Sequence, residues 1–426
     1  MTAAIIFGLL ALLMLTGMPI SIALGLTVLT FLFTMTQVPI EAVALKLFTG
    51  IEKFEIMAIP FFILAGNFLT HGGVAKRMIH FATALVGHLK GGLALGGIVA
   101  CALFAAVSGS SPATVVAIGS ILLPAMVKAG YPMKFGVGVI GTAGGLGILI
   151  PPSIVMVIYA VSTNSSIDKL FIAGIIPGLL LTTLLMVTTW IVARKRNYPS
   201  LPRASLKTLF STFRESIWGL LLIVVVIGGI YSGTFTATEA AAMSAVYAFV
   251  VAVFVYRDMR LREVPKVLLS AANMSAMILY IITNAVLFSF LLTSEQIPQQ
   301  LTAWITALGL GPIGFLICVN LLLLAAGNFM EPSSILLITA PLLFPMAMQL
   351  GIDPIHLGII MTINMEIGMI TPPVGLNLYV ASGISRLGLT ETTKACGPWI
   401  LVMMAFLLLI TYVPAITLWL PNLLYR

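Results

Sequence analysis

Four stretches of this 426-residue chain, 171–193, 267–294, 301–330 and 332–352, contain no Lys, Arg, Asp or Glu. Each reaches the ~20 residues that a helix needs to cross a ~30 Å hydrocarbon core. No water reaches the backbone at that depth, so its polar groups must pair within the segment, and a helix does this by default. Strands of a membrane barrel alternate apolar and polar residues, and these runs do not. The whole chain agrees, being 60% hydrophobic and only 8% charged. A soluble domain carries about a quarter charged residues, so this one cannot cover a water-facing surface. The sequence predicts an all-α polytopic membrane protein.

The net charge of +8 does not point to nucleic acid, because the cations gather in short loops. Lys76, Arg77 and Lys90 form one group, residues 194–214 hold a second, and Arg257, Arg260, Arg262 and Lys266 form a third. This is the positive-inside pattern of cytoplasmic loops. Cys101, Cys318 and Cys396 are widely scattered and read as packing residues rather than a disulfide or metal framework. The N-terminus is apolar almost from Met1 and lacks a basic leader, which predicts a retained first helix.

With residues 194–196 inside, 216–238 exits, 240–256 returns, 267–294 exits, and 295–300 lies outside. Arg386 and Lys394 read as inside, and 396–420 crosses outward. Pro19 interrupts the first apolar run, and the number of crossings before Lys76 stays open. Between 201 and 217, Leu206, Leu209, Phe210, Phe213 and Ile217 recur at helical spacing opposite Arg203, Lys207 and Arg214. That suits a helix lying in the cytoplasmic lipid interface, as an anchor or a partner contact.

An internal repeat carries most of the information. At an offset of 221 residues, Pro124 meets Pro345, Gly130 meets Gly351, Gly147 meets Gly368, Pro151 and Pro152 meet Pro372 and Pro373, and Pro177 meets Pro398. Just upstream, Pro112 and Pro332 stand 220 apart. Most identities are Gly or Pro, the residues that dictate backbone shape. The loop after Pro124 holds Lys128 and Lys134, whereas its counterpart holds Asp353 and His356, so the copies read as inverted in the membrane. Each copy predicts a re-entrant hairpin with a polar tip (108–112 or 327–332), followed by a helix broken at 147–152 or 368–373. A Pro-Pro pair cannot continue the helical ladder, and unwound backbone at membrane depth must line a cavity or lie buried in protein.

A hairpin tip facing an unwound helix presents carbonyl and hydroxyl oxygens to one small volume, a cage for a dehydrated cation such as Na⁺. Half-helix N-termini beside it offer free N–H groups to an anion. Ser108, Ser110, Ser111, Gly147, Ile150 and Pro152 are the candidates for one cation site; Gly327, Asn328, Gly368, Thr371 and Val374 for the other. Ser111, Asn164, Asn364 and Asn377 are candidates to line the substrate path, although interhelical hydrogen bonding would also explain the asparagines. Glu366, an acid within a predicted span, is either a proton carrier or a structural hydrogen-bonding group. Glu239 closes a capping box with Thr236. His71, His80 and His88 lie beside a basic loop without metal-ligand spacing. No catalytic residue and no cofactor other than the coupling ion is indicated.

Several motifs together resemble the large membrane subunit of the tripartite ATP-independent periplasmic (TRAP) transporters: residues 58–66 (AIPFFILAG), 107–114 (VSGSSPAT), 147–152, and 371–379 (TPPVGLNLY). The resemblance implies a Na⁺-driven importer of organic acids in the bacterial inner membrane, for a dicarboxylate or a sugar acid such as sialic acid. It also implies a soluble periplasmic substrate-binding protein and a small membrane subunit of about four helices, here expected as a separate chain. The related ion-transporter superfamily implies an elevator motion. On that basis 1–90 are scaffold helices, 91–193 the first transport repeat, 194–300 the interfacial helix and further scaffold, and 301–426 the second transport repeat.

Two other readings compete. A stand-alone Na⁺/dicarboxylate symporter of the same superfamily would need neither partner. An intramembrane hydrolase would use a serine among 108–111, but no membrane-embedded His or Lys is placed to activate it. An ATP-driven pump is disfavoured because the chain has no P-loop pattern.

Overall fold

The computed structural model describes residues 2–36, 38–307, 309 and 311–425. Met1, Gln37 and Arg426, which fall in the expected divisions 1–90 and 301–426, lie outside the described residues, as do Leu308 and Leu310 of the 301–330 run. The described residues contain no strand. Helix α1 (Thr2–Leu15) is followed by α2 (Ile20–Met35), which starts after Pro19. Then come α3 (Ile40–Thr49), α4 (Ala58–His71) and α5 (Val74–Val86). A hairpin of α6 (Gly92–Ser108) and α7 (Ser111–Lys128) leads into α8 (Met133–Ala143), the single turn α9 (Leu146–Leu149), and, beyond a break, α10 (Ile154–Thr163).

The long α11 (Ile167–Lys195) precedes α12 (Leu206–Tyr231), α13 (Ala237–Val250) and α14 (Val264–Ser294). The short α15 (Ile297–Ala307) leads to a second hairpin of α16 (Pro312–Gly327) and α17 (Pro332–Gln349). Next are α18 (Pro354–Gly368), a break, α19 (Leu376–Ser385), α20 (Leu389–Tyr412) and α21 (Ala415–Leu424).

The duplication read from Gly and Pro is a duplication of helix boundaries. Helices α7 and α17 start at Ser111 and Pro332 and end at Lys128 and Gln349, and α8 and α18 start at Met133 and Pro354. Packing between the copies is reciprocal: α7 lies on α19, and α17 lies on α10. Exchange of equivalent elements in this way is what an approximate two-fold axis produces.

Hydrogen bonds at the helix ends give the orientation of each copy. Both feet of the first hairpin meet the basic end of α11: Lys90 donates to Asn197 Oδ1 (3.0 Å), Gly91 N to Pro199 O (3.2 Å), and the Tyr131 hydroxyl also to Pro199 O (2.6 Å). The first turns of α8 and α20 are joined at this face by the Lys134–Glu391 ion pair. The start of α18 instead meets the outer end of α10, where the Tyr159 hydroxyl donates to Pro354 O (2.7 Å). Helix α16 runs parallel to α18, since Asn320 meets Asn364 and Gly327 meets Gly368. The hairpins therefore enter from opposite faces, and the repeats are inverted. Helices α7 and α17 are long and apolar enough to cross a membrane, but they are hairpin arms.

Three segments differ from expectation. Residues 201–217 do not form a separate interfacial helix: Ser205 caps α12 by accepting from Thr208 N (3.1 Å), and the helix continues unbroken to Tyr231. Its amphipathic first turns leave Leu206 and Phe210 exposed. The 301–330 run is divided between α15 and α16, because Pro312 opens a new helix at a position where its missing N–H is not required. The crossing expected over 396–420 ends at Tyr412, and after Pro414 the chain forms α21, anchored by His356 Nδ1 to Thr417 Oγ1 (2.8 Å). The capping box of Thr236 and Glu239 is present as read, and all three cysteines are free.

Candidate functional site

The first tip is built from small residues that let backbones touch. Gly109 ends α6 at φ +60°, a conformation that side chains disfavour, and a methyl group there would lie 2.9 Å from Pro152 O. A methyl on Gly147 would lie 2.6 Å from Ser110 O, and one on Gly66 of α4 would lie 3.0 Å from Ser108 O. Ser110 O accepts from Thr114 Oγ1 (2.8 Å) and Ser108 Oγ (3.4 Å). Across the break, Ser153 donates to Ile148 O (2.6 Å) and accepts from Met156 N (3.3 Å), tying α9 to α10. Pro151 and Pro152 are buried. Of the six residues expected at this site, Ser108, Ser110, Ser111, Gly147 and Pro152 are gathered together. Ile150 belongs to the same break, and its side chain packs toward Gly178 of α11.

At the second tip, Gly327 and Gly368 meet backbone to backbone: a methyl on Gly368 would lie 2.7 Å from Gly327 Cα. Val374 N donates to Asn328 O (3.0 Å), joining the tip to the broken helix. Gly375 turns the chain at φ +50° into α19. Gly327, Asn328, Gly368 and Val374 are thus brought together, while the Thr371 hydroxyl turns back to Ile367 O (2.7 Å). Glu331 caps α17, accepting from Ser334 N (3.2 Å) and Ser333 Oγ (2.7 Å). Pro372 and Pro373 are exposed. The Pro–Pro peptide bonds of both repeats are cis.

Both tips border one cavity of about 290 Å³, lined by Ser110, Ser111, Glu331 and Ser333, with Met274 and Met277 of α14 forming an apolar wall. No Lys or Arg is among its lining residues. Asn377 Nδ2 donates to Ser111 Oγ (2.6 Å), linking the first tip to α19 of the other repeat. Asn364 lies deeper in α18, donating to Asn320 Oδ1 (2.8 Å), and Asn320 in turn donates to Thr411 Oγ1 (3.0 Å). Asn164 is elsewhere: it ends α10 in a left-handed conformation and accepts from Lys53 Nζ (2.6 Å) at the outer face.

Glu366 is fully buried, and neither carboxyl oxygen has a partner among the described residues. The same holds for Oδ1 of Asn328, Asn364 and Asn377. A methyl on Gly145 would lie 2.6 Å from Glu366 Oε1. Gly145 is the position equivalent to Glu366 at the repeat offset, so the two counterparts face each other on the approximate two-fold axis. Sequence reasoning missed Gly66, Thr114, Gly145, Asn320 and Lys53. Gly145 could have been sought by asking which position matches Glu366 in the other copy, whereas Gly66 lies outside both copies. Lys53 carries no such signal.

The description of the DctM component of tripartite ATP-independent periplasmic transporters matches residues 7–416. The chain is 70% identical to the C4-dicarboxylate TRAP transporter large permease protein DctM of Rhodobacter capsulatus, covering 100% of both chains. It is 56% identical to the protein of that description from Pseudomonas aeruginosa, over 94% of each. Among solved structures, the Alcanivorax borkumensis YdaH transporter has the same fold, with a TM-score of 0.63 at 17% identity, over 88% of this chain and 89% of that one.

Proposed function

The chain belongs to the DctM component family of the tripartite ATP-independent periplasmic transporters, and from that premise we propose that it imports a C4-dicarboxylate coupled to Na⁺. The observation that carries the reading is the central cavity, where two inverted tips and two broken helices meet without a cationic side chain. Na⁺ suits the two breaks because the groups there are neutral oxygens at close quarters, including Ser110 O at the first and the unpartnered Asn328 Oδ1 at the second. A hard monovalent cation takes such carbonyl and amide ligands, held in place by a rigid backbone.

The anion is held by the first tip. No side chain caps α7, so its first N–H groups are free for a carboxylate, with Ser111 and Asn377 beside them. Helix α17 already has a carboxylate on its N-terminus, that of Glu331. Bound Na⁺ offsets the substrate's charge, which would link cation and anion binding. Residues 91–193 and 301–426 move as the transport body against a scaffold of 1–90 and 194–300, sliding along the methionine face of α14. The chain works in the bacterial inner membrane with a small membrane subunit and a periplasmic binding protein. The dicarboxylate is favoured over sialic acid by the names of the two relatives above.

The test is uptake of radiolabelled succinate and sialic acid into proteoliposomes holding the chain and its small subunit, with the cognate binding protein outside. An inward Na⁺ gradient is expected to drive succinate accumulation, and accumulation unchanged without Na⁺ would overturn the coupling. Full uptake by this chain alone would favour a stand-alone symporter.

A further inference from the structure

We infer that Lys46 and Lys53 form an outer carboxylate-receiving site, which an organic anion occupies before it reaches the central cavity. The inference rests on the proposed import of an organic acid. The two lysines border a cavity of about 300 Å³ between α3, α10, α14 and α17, large enough for a small organic acid. Three of these helices also wall the central cavity. Helix α14 contributes Met274 and Met277 there and Ile282 and Ser289 here; α10 contributes Ile154 there and Val161 here; α17 contributes Ser333 there and Leu337 here. The two cavities are lined by successive stretches of the same three helices, about 10–15 Å apart at the helical rise of ~1.5 Å per residue.

The chemistry of the outer station is the reverse of the inner one. Lys53 Nζ donates to Val161 O (2.8 Å) and Asn164 Oδ1 (2.6 Å), which leaves the third of its three donors free. Lys46 Nζ lies 5.4 Å from the Phe290 ring, and neither lysine has an ion-pair partner among the described residues. Burial pushes the Lys53 ammonium below the usual lysine range, with Glu55 drawing it partly back, so a carboxylate beside it would relieve an undercompensated charge. The positive-inside rule does not account for these cations, since they sit at the end of α11 opposite its basic terminus. An anion arriving from outside meets two ammonium groups first, then a central cavity with no Lys or Arg in its lining.

The experiment uses Ser289→Cys, on the wall of this cavity, with the exposed Cys318 replaced by Ser. The complex sits in membrane vesicles, and maleimide labelling is timed with and without succinate. Succinate is expected to slow labelling at least threefold, and neutral succinamide is not. Lys46→Gln makes the sharper variant, because Lys46 makes no hydrogen bond that holds α10. It should raise the half-protecting succinate concentration by about fivefold, and Lys46→Gln with Lys53→Gln should abolish protection. Labelling indifferent to succinate, or protection unaltered in both variants, would overturn the site. Succinate import is measured on the same vesicles: import without protection sinks the outer site alone, and protection without import sinks the import reading while supporting the site. Absence of both sinks both.

Discussion

The two repeats share a backbone plan and differ in how that plan is covered. In the first, Pro151, Pro152 and Ser153 are buried, α4 lies against the tip at Gly66, and Ser153 bridges the break. In the second, Pro372 and Pro373 are exposed, and the bond from Val374 N to Asn328 O closes the gap between tip and break. The helix ends differ too: α7 has no side-chain cap, whereas α17 is capped by Glu331. Duplication therefore supplied two tip-and-break units, but only the first stands beside a helix start that no side chain caps. The buried repeat has little room to adjust, and the exposed one can yield.

The largest effect is expected where backbone meets backbone under cover. Gly147→Val drives a branched side chain into the Ser110 carbonyl, with no detectable succinate import and a destabilisation of about 3 kcal/mol. Gly368→Val, tested beside it by uptake and thermal melting, should retain some import because the Gly327 tip can shift. A larger loss from Gly368→Val would break the comparison. Next, Pro152→Ala should lower import about tenfold and Pro373→Ala less than threefold, and equal losses would show that cover does not set sensitivity. Asn377→Ala removes the bond to Ser111, about 1 kcal/mol, and should raise the apparent KM for succinate by about fivefold with kcat little changed. Smallest, Glu331→Ala should cost about 1 kcal/mol of helix stability, seen in the melting temperature, whereas Ser110→Ala removes no cap and should not weaken α7 in this way.

The hairpins, the breaks and their inversion were legible because Gly and Pro write backbone shape directly into sequence. The charge difference between Lys128 with Lys134 and Asp353 with His356 was enough to orient the copies. His356 itself was misleading as a loop residue, since it is buried and fastens α21 to α18. Asn164 had no local mark to separate it from Asn364 and Asn377. Its place depends on Lys53, which lies 111 residues away and meets it only after folding. The unbroken α12 was obscured for a different reason: its first turns carry the amphipathic pattern of a surface helix, and no residue within them signals continuation. Periodicity describes which face is apolar, but it does not say where a helix stops.

The contact between Gly145 and Glu366 has a consequence for counting. A feature away from an internal axis of symmetry comes in twos, but a side chain on the axis competes with its own counterpart for the same space. A second glutamate at 145 would press one carboxylate against another at a separation where only a methyl's width is already too much. One arm had to stay empty for the other to be filled. The molecule therefore presents this buried carboxylate once, with no symmetry-related copy, whereas the tips and breaks away from the axis come in pairs.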